Sequence, residues 1–487
     1  MRKLAWIVLG LVAAVAAVIA VRTITYRAPA APDSQPVAIA AAPEVDLAAT
    51  AQHLAEAVRF RTISHQDPAL NDAAEWDRFH AWLQITYPTA HAAMTREIVG
   101  GQTLVYTWPG RDPARPPIIL LAHHDVVPVT EGTEGDWQHP PFDGVVADDA
   151  VWGRGTLDNK GSLVTVFESL EALAKSGFAP AASVIVVSGH DEEAGGAGAA
   201  AAARLLQARD VQAEFVLDEG LAVVADFPLL GRPVALIGIA EKGYGTLRIT
   251  APAKGGHSSA PPPQTGVETL AQAVLAITSQ PFPMRFAGPP AEMLRALAPE
   301  TRWPVRMAVA NSWLLAPLLV NQMAATPAGA ASLHTTIAPT MLRGSPKENV
   351  LPQDATAWVN YRIAPGHTAA AVLEHAQQAT RGLDVQLEWE KPPYDPPPVS
   401  SATSPAFRLI ATLAADGGST PVAPGLVTAT TDSRSFVGVA RDIYRFQPIV
   451  ASMREFEMIH GTNEHVTFDN LSRLTGFYSQ LIATAAR

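Results

Sequence analysis

The chain has 487 residues, of which 48% are hydrophobic and 17% charged, a composition typical of a folded protein with more than one domain. Its formal net charge of −11, without a basic stripe, argues against nucleic acid as a partner. The sequence contains no cysteine, which excludes disulfides, thiolate metal sites and a cysteine nucleophile.

The N-terminus predicts a membrane segment. An unbroken apolar run, Leu4 to Val21, follows Arg2 and Lys3. As a helix it would extend about 27 Å, close to the thickness of a hydrocarbon core. We expect a transmembrane anchor at residues 1–21. The alternative is an export signal cleaved at the small-residue motif of residues 28–30. Both hypotheses put the bulk of the chain outside the cytoplasm, either membrane-anchored (periplasmic or extracytoplasmic) or secreted.

An Ala- and Pro-rich linker at 22–45 precedes the first part of a catalytic domain at 46–238. Here three short apolar runs each end in His or acidic residues, in "PPIILLAHHD", "SVIVVSGHDEE" and "AEFVLDEG". Helical patterns at 163–176 and 199–208 alternate with them. The fold class is therefore α/β, with a mostly parallel sheet covered by helices on both faces. Because the carboxyl ends of parallel strands form the binding crevice, the polar clusters should meet there.

Residues 239–391 show strand-like alternation interrupted by helices and predict an inserted α+β lid or dimerisation domain. Within it, the very apolar segment 308–324 is expected to form buried lid helices. The proline-dense stretch 391–401 predicts a stiff hinge, and 392–487 forms the second part of the catalytic domain.

The clusters supply seven candidate residues for chemistry: His123, Asp125, Asp158, Glu192, Glu193, Asp218 and His460. Nitrogen and carboxylate ligands without sulfur suit Zn²⁺, and also Mn²⁺ or Co²⁺. Each residue alone has an ordinary explanation, such as a helix cap, a solvated loop or surface charge. Several carboxylates packed into one crevice would be costly without a cation to compensate them.

Five motifs in order, H-x-D-V-V-P, G-R-G-x-x-D-x-K-G, D-E-E, L-D-E-G and H-G-x-N-E, give the sequence a specific resemblance over residues 47–482. It resembles the co-catalytic di-zinc exopeptidases, a family that includes carboxypeptidase S, aminoacylase, glutamate carboxypeptidase and succinyl-diaminopimelate desuccinylase. The branch of carboxypeptidase S and N-fatty-acyl-amino-acid synthase/hydrolase is the most similar. The resemblance implies a zinc-exopeptidase-like fold and two Zn²⁺ per chain.

The resemblance also implies residue roles. His123, Asp158 and Asp218 would hold one zinc, and Asp158, Glu193 and His460 the other, with Asp158 bridging. Asp125 would orient His123, and Glu192 would be the general base. One departure is Asn159, which stands where many relatives have a second Asp. Because the bridging Asp158 is intact, we expect this difference to affect the metal affinity and not to abolish activity.

Four further residues are weaker candidates for substrate binding. His257 matches a histidine that reaches the partner subunit's oxyanion site in dimeric relatives. Arg362 and Arg434 would clamp a substrate carboxylate, and Asn349 would contact the scissile carbonyl. Each also has an ordinary structural explanation, and the glycines often found before the Arg434 motif are absent.

The sequence thus predicts a zinc-dependent carboxypeptidase acting on short peptides. An N-acyl-amino-acid hydrolase or synthase is the first alternative. An aminopeptidase and an inactive peptide-binding protein are the others. We expect a small peptide or N-acyl amino acid as substrate, the membrane as a partner of the N-terminal helix, and a possible homodimer formed through the lid.

Overall fold

The computed structural model of the protein describes residues 2–29 and 37–487. Parts of the predicted linker and of the cleavage motif, residues 30–36, lie outside the described residues. The helices are α1 (Arg2–Ile24), α2 (Leu47–Val58), α3 (Ala73–Thr86), α4 (Pro88–Ala93), α5 (Lys160–Lys175), α6 (Ala197–Ala208), α7 (Gly266–Thr278), α8 (Gly288–Leu297), α9 (Trp303–Ala310), α10 (Ser312–Met323), α11 (Pro327–Ser332), α12 (Ala369–Ala379), α13 (Pro405–Ala414) and α14 (Phe468–Ala485). The strands are β1 (Thr95–Val99), β2 (Thr103–Trp108), β3 (Ile118–Leu121), β4 (Val145–Ala147), β5 (Ala150–Trp152), β6 (Val184–Ser188), β7 (Ala213–Phe227), β8 (Arg232–Glu241), β9 (Gly243–Pro252), β10 (Gly256–His257), β11 (Thr336–Arg343), β12 (Val350–Leu351), β13 (Asp354–Ile363), β14 (Gln386–Trp389), β15 (Val422–Val427), β16 (Ala440–Ala451) and β17 (His465–Thr467).

An eight-stranded sheet in the order β1-β2-β6-β3-β7-β16-β8-β15 forms the centre of the molecule. Its middle strands β6, β3, β7 and β16 run parallel to one another, as the alternation of strands and helices predicted. Every side chain of β3 is buried, and alternate residues enter different cores. Ile118 and Leu120 pack with α2, α5 and α14 on one face, and Ile119 and Leu121 pack with α6 on the other. The prediction of a mostly parallel sheet with helices on both faces is confirmed.

A second, four-stranded antiparallel sheet has the order β11-β13-β9-β14. Helices α7 and α12 cover it and share a separate hydrophobic core with it. This region has the α+β composition predicted for 239–391, although β8 of the large sheet continues through the predicted boundary to Glu241. Its role as a lid or dimerisation unit stays a prediction.

The segment predicted as buried lid helices forms α9 and α10, but α10 is not buried. Only Leu319 of its twelve residues is buried, while Trp313, Leu314 and Leu318 are exposed. The expectation of burial was wrong because α10 packs on its neighbours along one side only. An apolar sequence predicts an apolar environment for its side chains, and that environment need not be the protein interior.

Helix α1 is the one helix within residues 2–29 and 37–487 that is long and apolar enough to cross a membrane, with a mean hydropathy of 2.8. The apolar part of the helix is exposed to its surroundings. Its last turns contact α9, where Arg22 Nε donates a hydrogen bond to the carbonyl oxygen of Ala310 at 3.1 Å. An apolar helix at the N-terminus is confirmed, and its membrane insertion stays a prediction.

Lys160 begins α5 and joins it to the end of α2. Its side chain is fully buried, and Nζ donates hydrogen bonds to the carbonyl oxygens of Ala57 at 3.0 Å and Phe60 at 2.6 Å. Burial lowers the pKa of Lys160 to about 7, although Asp125 and Glu464 oppose that shift. The lysine therefore serves as a structural donor between the helices that flank the sheet.

We predict that Lys160→Met lowers the free energy of unfolding by roughly 2 kcal/mol, because two buried carbonyl groups lose their donor. The loss should grow as the pH rises above about 7, since the unfolded chain then keeps a proton that the folded chain has released. Urea unfolding of both proteins at neutral and at alkaline pH measures this. Lys175→Met, at the exposed end of the same helix, is the control and should change stability little. A loss at position 160 that shrinks with rising pH would contradict the assignment.

Candidate metal centre

The site is assembled where strands of the large sheet end. His123 follows β3, Glu192 and Glu193 form a short 3₁₀ turn after β6, and Asp158 precedes α5. His460 comes from the segment between β16 and β17, more than three hundred residues after His123 in the chain. The carboxyl ends of the parallel strands face the same edge, so residues distant in sequence share one crevice.

Two groups of metal-ligand type share Asp158. On one side, His123 Nε2 lies 2.9 Å from Asp158 Oδ1 and 3.1 Å from Glu219 Oε1. On the other side, His460 Nε2 lies 3.1 Å from Asp158 Oδ2 and 3.1 Å from Glu193 Oε2. The two oxygens of one carboxylate thus face two different histidines, which is the arrangement of a ligand that bridges two ions.

The carboxylate beside His123 and Asp158 belongs to Glu219, whereas the sequence prediction named Asp218. The Asp218 side chain instead accepts hydrogen bonds from the backbone N–H groups of Glu219 at 2.9 Å and Ser433 at 2.9 Å. The reason is local: the pairing of β16 with β7 shifts register after Asp218, and Gly220 has φ +141°. A bulge of this kind changes which side chain faces the crevice, and a motif does not reveal it.

Asp125 supports the site from behind His123. His123 Nδ1 lies 3.0 Å from the Asp125 carbonyl oxygen and 3.3 Å from its Oδ1. The same carboxylate accepts the backbone N–H groups of Glu192 and Glu193, each at 3.2 Å, and the Ser64 hydroxyl at 2.5 Å. Asp125 therefore contacts the ring of one candidate ligand and also fixes the turn that carries the other two acidic residues.

Glu464 has a similar supporting role that the sequence prediction missed. This buried carboxylate accepts the backbone N–H groups of Gly155, Leu157 and Asp158 through Oε1, at 2.9–3.2 Å. Its Oε2 pairs with Arg154 Nη1 at 2.8 Å. The glutamate of the H-G-x-N-E motif was the available signal, because it is four residues after His460 and its negative charge can fix the loop that carries Asp158.

Asn159, the departure noted in the sequence, is buried next to Asp158. The peptide bond between the two residues is cis. The side-chain oxygen of Asn159 accepts a hydrogen bond from Gln447 Nε2 at 3.0 Å. The amide oxygen is thus held by the protein, whereas Nδ2 is buried without a hydrogen-bond partner among the described residues, and the two oxygens of Asp158 are directed at the histidines.

The electrostatics of the crevice fit a cationic ligand. Burial raises the pKa of Glu192, Glu219 and Asp432 well above the usual range, and neighbouring carboxylates raise it further. Burial also raises the pKa of Glu193 and, against several hydrogen bonds, that of Asp218. Hydrogen bonds to Asp158 and Glu193 raise the pKa of His460 to about 10. The crevice therefore concentrates buried acidic groups, and divalent cations would supply the positive charge that compensates them.

The two candidate carboxylate-binding arginines lie on a continuous aromatic stack. The Arg362 guanidinium lies 4.9 Å from the ring centre of Tyr244, and that of Arg434 lies 5.2 Å from the ring centre of Tyr394. The two tyrosines stack on each other with centroids 5.9 Å apart. Arg434 also donates to the carbonyl oxygen of Gly195 at 2.7 Å, close to the turn of Glu192 and Glu193.

His257 and Asn349 lie together elsewhere, at the two-stranded sheet of β10 and β12: His257 is in β10 and Asn349 directly precedes β12. Ser258 N–H donates to the Asn349 carbonyl oxygen at 3.1 Å, and His257 is exposed with its Nδ1 2.8 Å from the Ser259 hydroxyl. Within the described residues, neither side chain forms a hydrogen bond or ion pair with the metal-type groups. The structure therefore brings this pair together but does not join it to the candidate centre within one chain.

Comparisons with known proteins show similarity in both sequence and fold. Residues 119–484 match the model of peptidase family M20/M25/M40. A probable carboxypeptidase S-like 2 of Dictyostelium discoideum is 33% identical over 89% of this chain and 84% of its own length. The N-fatty-acyl-amino acid synthase/hydrolase PM20D1 of Xenopus tropicalis is 36% identical over 88% and 84%. In fold, the chain is similar to the M20 family metallo-carboxypeptidase Sso-CP2 from Sulfolobus solfataricus, with a TM-score of 0.63, 16% identity, and coverage of 90% of this chain and 99% of the other. The chain belongs to peptidase family M20/M25/M40.

Proposed function

We propose that the protein is a di-zinc hydrolase that cleaves an amide bond next to a free C-terminal carboxylate. The observation that carries the proposal is the position of Asp158, whose two oxygens face His123 and His460 with a further carboxylate on each side. His123, Asp158 and Glu219 would hold one ion, and Asp158, Glu193 and His460 the other. Zn²⁺ suits this set of nitrogen and oxygen donors, and Co²⁺ or Mn²⁺ would also fit.

Bound zinc would polarise the scissile carbonyl and acidify a water molecule. The chain's own contribution to the reaction is the proton transfer at Glu192. As the water oxygen bonds to the carbonyl carbon, the Glu192 carboxylate accepts the water proton and then delivers it to the amine nitrogen as the C–N bond breaks. Asp125 supports this role, because it holds the backbone of Glu192 in the turn.

Arg434 and Arg362 are proposed to bind the substrate's terminal carboxylate through guanidinium N–H groups. Arg434 interacts electrostatically with Glu192, which supports a position for the carboxylate close to the proposed base. His257 is exposed and is proposed, with Asn349, to contact the scissile carbonyl from a partner subunit of a homodimer. These four assignments describe how the substrate would be bound, and the hydrolase assignment does not depend on them.

Short peptides are the proposed substrates, and N-acyl amino acids are the second candidate. The second candidate is favoured by the 36% identity to a relative named as an N-fatty-acyl-amino acid synthase/hydrolase. An inactive peptide-binding protein is disfavoured, because the chain keeps the proposed general base Glu192 together with every residue proposed to hold an ion. We also propose that α1 anchors the exported enzyme in a membrane, with secretion after cleavage as the alternative.

The function is tested with full-length, zinc-loaded protein and a matched set of dipeptides. We expect release of the C-terminal amino acid from N-blocked dipeptides. C-terminal amidation should lower kcat/KM by about 10- to 100-fold, because a charge-assisted interaction is lost. A chelator should abolish both rates.

If N-blocking stops hydrolysis and amidation does not, the protein is an aminopeptidase. Faster turnover of N-acyl amino acids than of any dipeptide selects the second candidate.

Glu192→Gln should lower kcat by roughly 10²- to 10⁴-fold with the metal content unchanged, because the general base is lost and the proposed ligands remain. Activity assays combined with elemental analysis measure both quantities. Glu193→Gln is the matched comparison, since it should lower activity and metal content together. A Glu192→Gln enzyme with the rate of the unaltered protein contradicts the proposed base.

Glu219→Gln and Asp218→Asn separate the two adjacent acidic residues. We expect Glu219→Gln to weaken the binding of one zinc equivalent by about 10- to 100-fold and Asp218→Asn to have a smaller effect, because Asp218 contacts backbone N–H groups. Competition with a zinc chelator measures each affinity. Zinc loss in Asp218→Asn alone would restore the assignment made from the sequence.

A further inference from the structure

The geometry points to a second membrane contact formed by helices α9 and α10. We define the α9–α10 surface by its exposed side chains Trp303, Trp313, Leu314, Pro317 and Leu318, and its proposed partner is the lipid bilayer that α1 enters. This inference rests on the membrane anchor proposed above and is independent of the catalytic assignment.

The exposed residues of α10 form one continuous stripe. Trp313, Leu314 and Leu318 are 59%, 46% and 56% exposed, and Pro317 is exposed between them. At about 100° per residue, these four positions fall within an arc of about 140° on the helix. The opposite side carries Leu319, which packs with side chains of α8 and α9. The helix thus has apolar side chains on both sides. Among the described residues, the side of Leu319 packs against the protein and the exposed stripe does not.

Contacts with α1 determine the depth of this surface along the membrane normal. Asn311, directly before α10, donates through Nδ2 to the carbonyl oxygen of Ile19 at 3.3 Å and to Thr23 Oγ1 at 3.2 Å. The start of α10 therefore lies beside the last turns of α1, where the apolar run ends at Arg22. In a membrane-spanning helix this is the headgroup level, at which tryptophan side chains are favoured.

The length of α10 suits a helix that lies in the interface. Twelve residues extend about 18 Å, which is too short to cross a hydrocarbon core. A short helix with an apolar stripe can bury that stripe at the boundary between headgroups and acyl chains. A large exposed apolar patch on a protein is otherwise unfavourable in water.

The charge distribution of this region also favours a membrane. No Asp or Glu occurs between Glu300 and Glu348, although the chain as a whole has a net charge of −11. The same interval contains Arg302 and Arg306 close to the α9–α10 surface. An acidic protein that lacks acidic residues over such a long interval avoids repulsion by anionic headgroups there.

Single-cysteine spin labelling tests the inference, because the chain has no cysteine of its own. Nitroxides are attached in the full-length chain to the variants Leu318→Cys and Leu314→Cys. Val12→Cys in α1 marks the lipid phase, and Ile85→Cys, at a 78% exposed apolar position of α3, marks water. Each protein is reconstituted into vesicles of phosphatidylcholine and phosphatidylglycerol. Power saturation then compares collisions with dissolved oxygen and with a water-soluble nickel chelate.

We expect the oxygen-to-nickel ratio at positions 314 and 318 to exceed that at position 85 severalfold and to approach that at position 12. A ratio equal to that at position 85, with position 12 in lipid, overturns the surface. Water-like ratios at all four positions overturn it together with the anchor. A third outcome is low collision rates with both reagents together with spin–spin broadening that increases with protein density. It would show that a second copy of the chain covers the surface, and it also overturns the membrane contact. These measurements use the resting protein, so a failure of the hydrolase assignment would not affect them.

Discussion

The structure depends on one constraint: Asp158 has to lie between two histidines that are more than three hundred residues apart in the chain while further carboxylates surround it. Hydrogen bonds from His123 and His460 hold the pKa of Asp158 low in spite of its burial. The carboxylates of Glu192, Glu193 and Glu219 lie in the same crevice, and burial raises the pKa of each. Such an excess of buried acid is stable only with compensating positive charge. The supporting network serves to maintain this arrangement, since Glu464 fixes the loop of Asp158 and Asp125 fixes the turn of Glu192 and Glu193.

Much of this arrangement could be predicted from the sequence, because its cause is local. A buried strand shows as an apolar run, and a parallel strand delivers whatever follows it to one edge of the sheet. The positions of His123 and of Glu192 and Glu193 follow from that rule alone. The contact between His460 and Asp158 does not follow from it, and the resemblance to a known family was needed to connect them.

The points at which the structure departs from the sequence-based expectations have a common physical origin. Which of Asp218 and Glu219 faces His123 depends on a register shift in the pairing of β7 with β16 and on the positive φ of Gly220, and the ligand role of either residue stays a prediction. The exposure of α10 depends on how much apolar surface its neighbours offer, and an apolar pattern alone cannot tell protein from lipid. Glu464 was overlooked because three of its partners are backbone N–H groups, which no sequence pattern displays, and its ion pair with Arg154 joins residues more than three hundred positions apart. Local pattern therefore predicts elements and clusters, whereas tertiary pairing decides the orientation of individual side chains.

The aromatic stack connects the two sheets through the two arginines proposed to bind the substrate. Arg362 and Tyr244 belong to β13 and β9 of the four-stranded sheet, Tyr394 to the proline-dense stretch 391–401, and Arg434 to the turn before β16. These contacts lead from the four-stranded sheet to the crevice that contains Glu192. The backbone N–H groups of Tyr244 and Tyr394 each donate to the carbonyl oxygen of the other residue at 3.0 Å. A rotation of the four-stranded sheet would therefore carry Tyr394 with it and change the contact between Tyr394 and Arg434, which would move one arginine relative to the other. Because cation–π and stacking contacts weaken steeply with separation, the distance between the two proposed carboxylate-binding groups is coupled to the relative orientation of the units. The proposed recognition of the substrate carboxylate and the orientation of the four-stranded sheet therefore depend on the same few contacts.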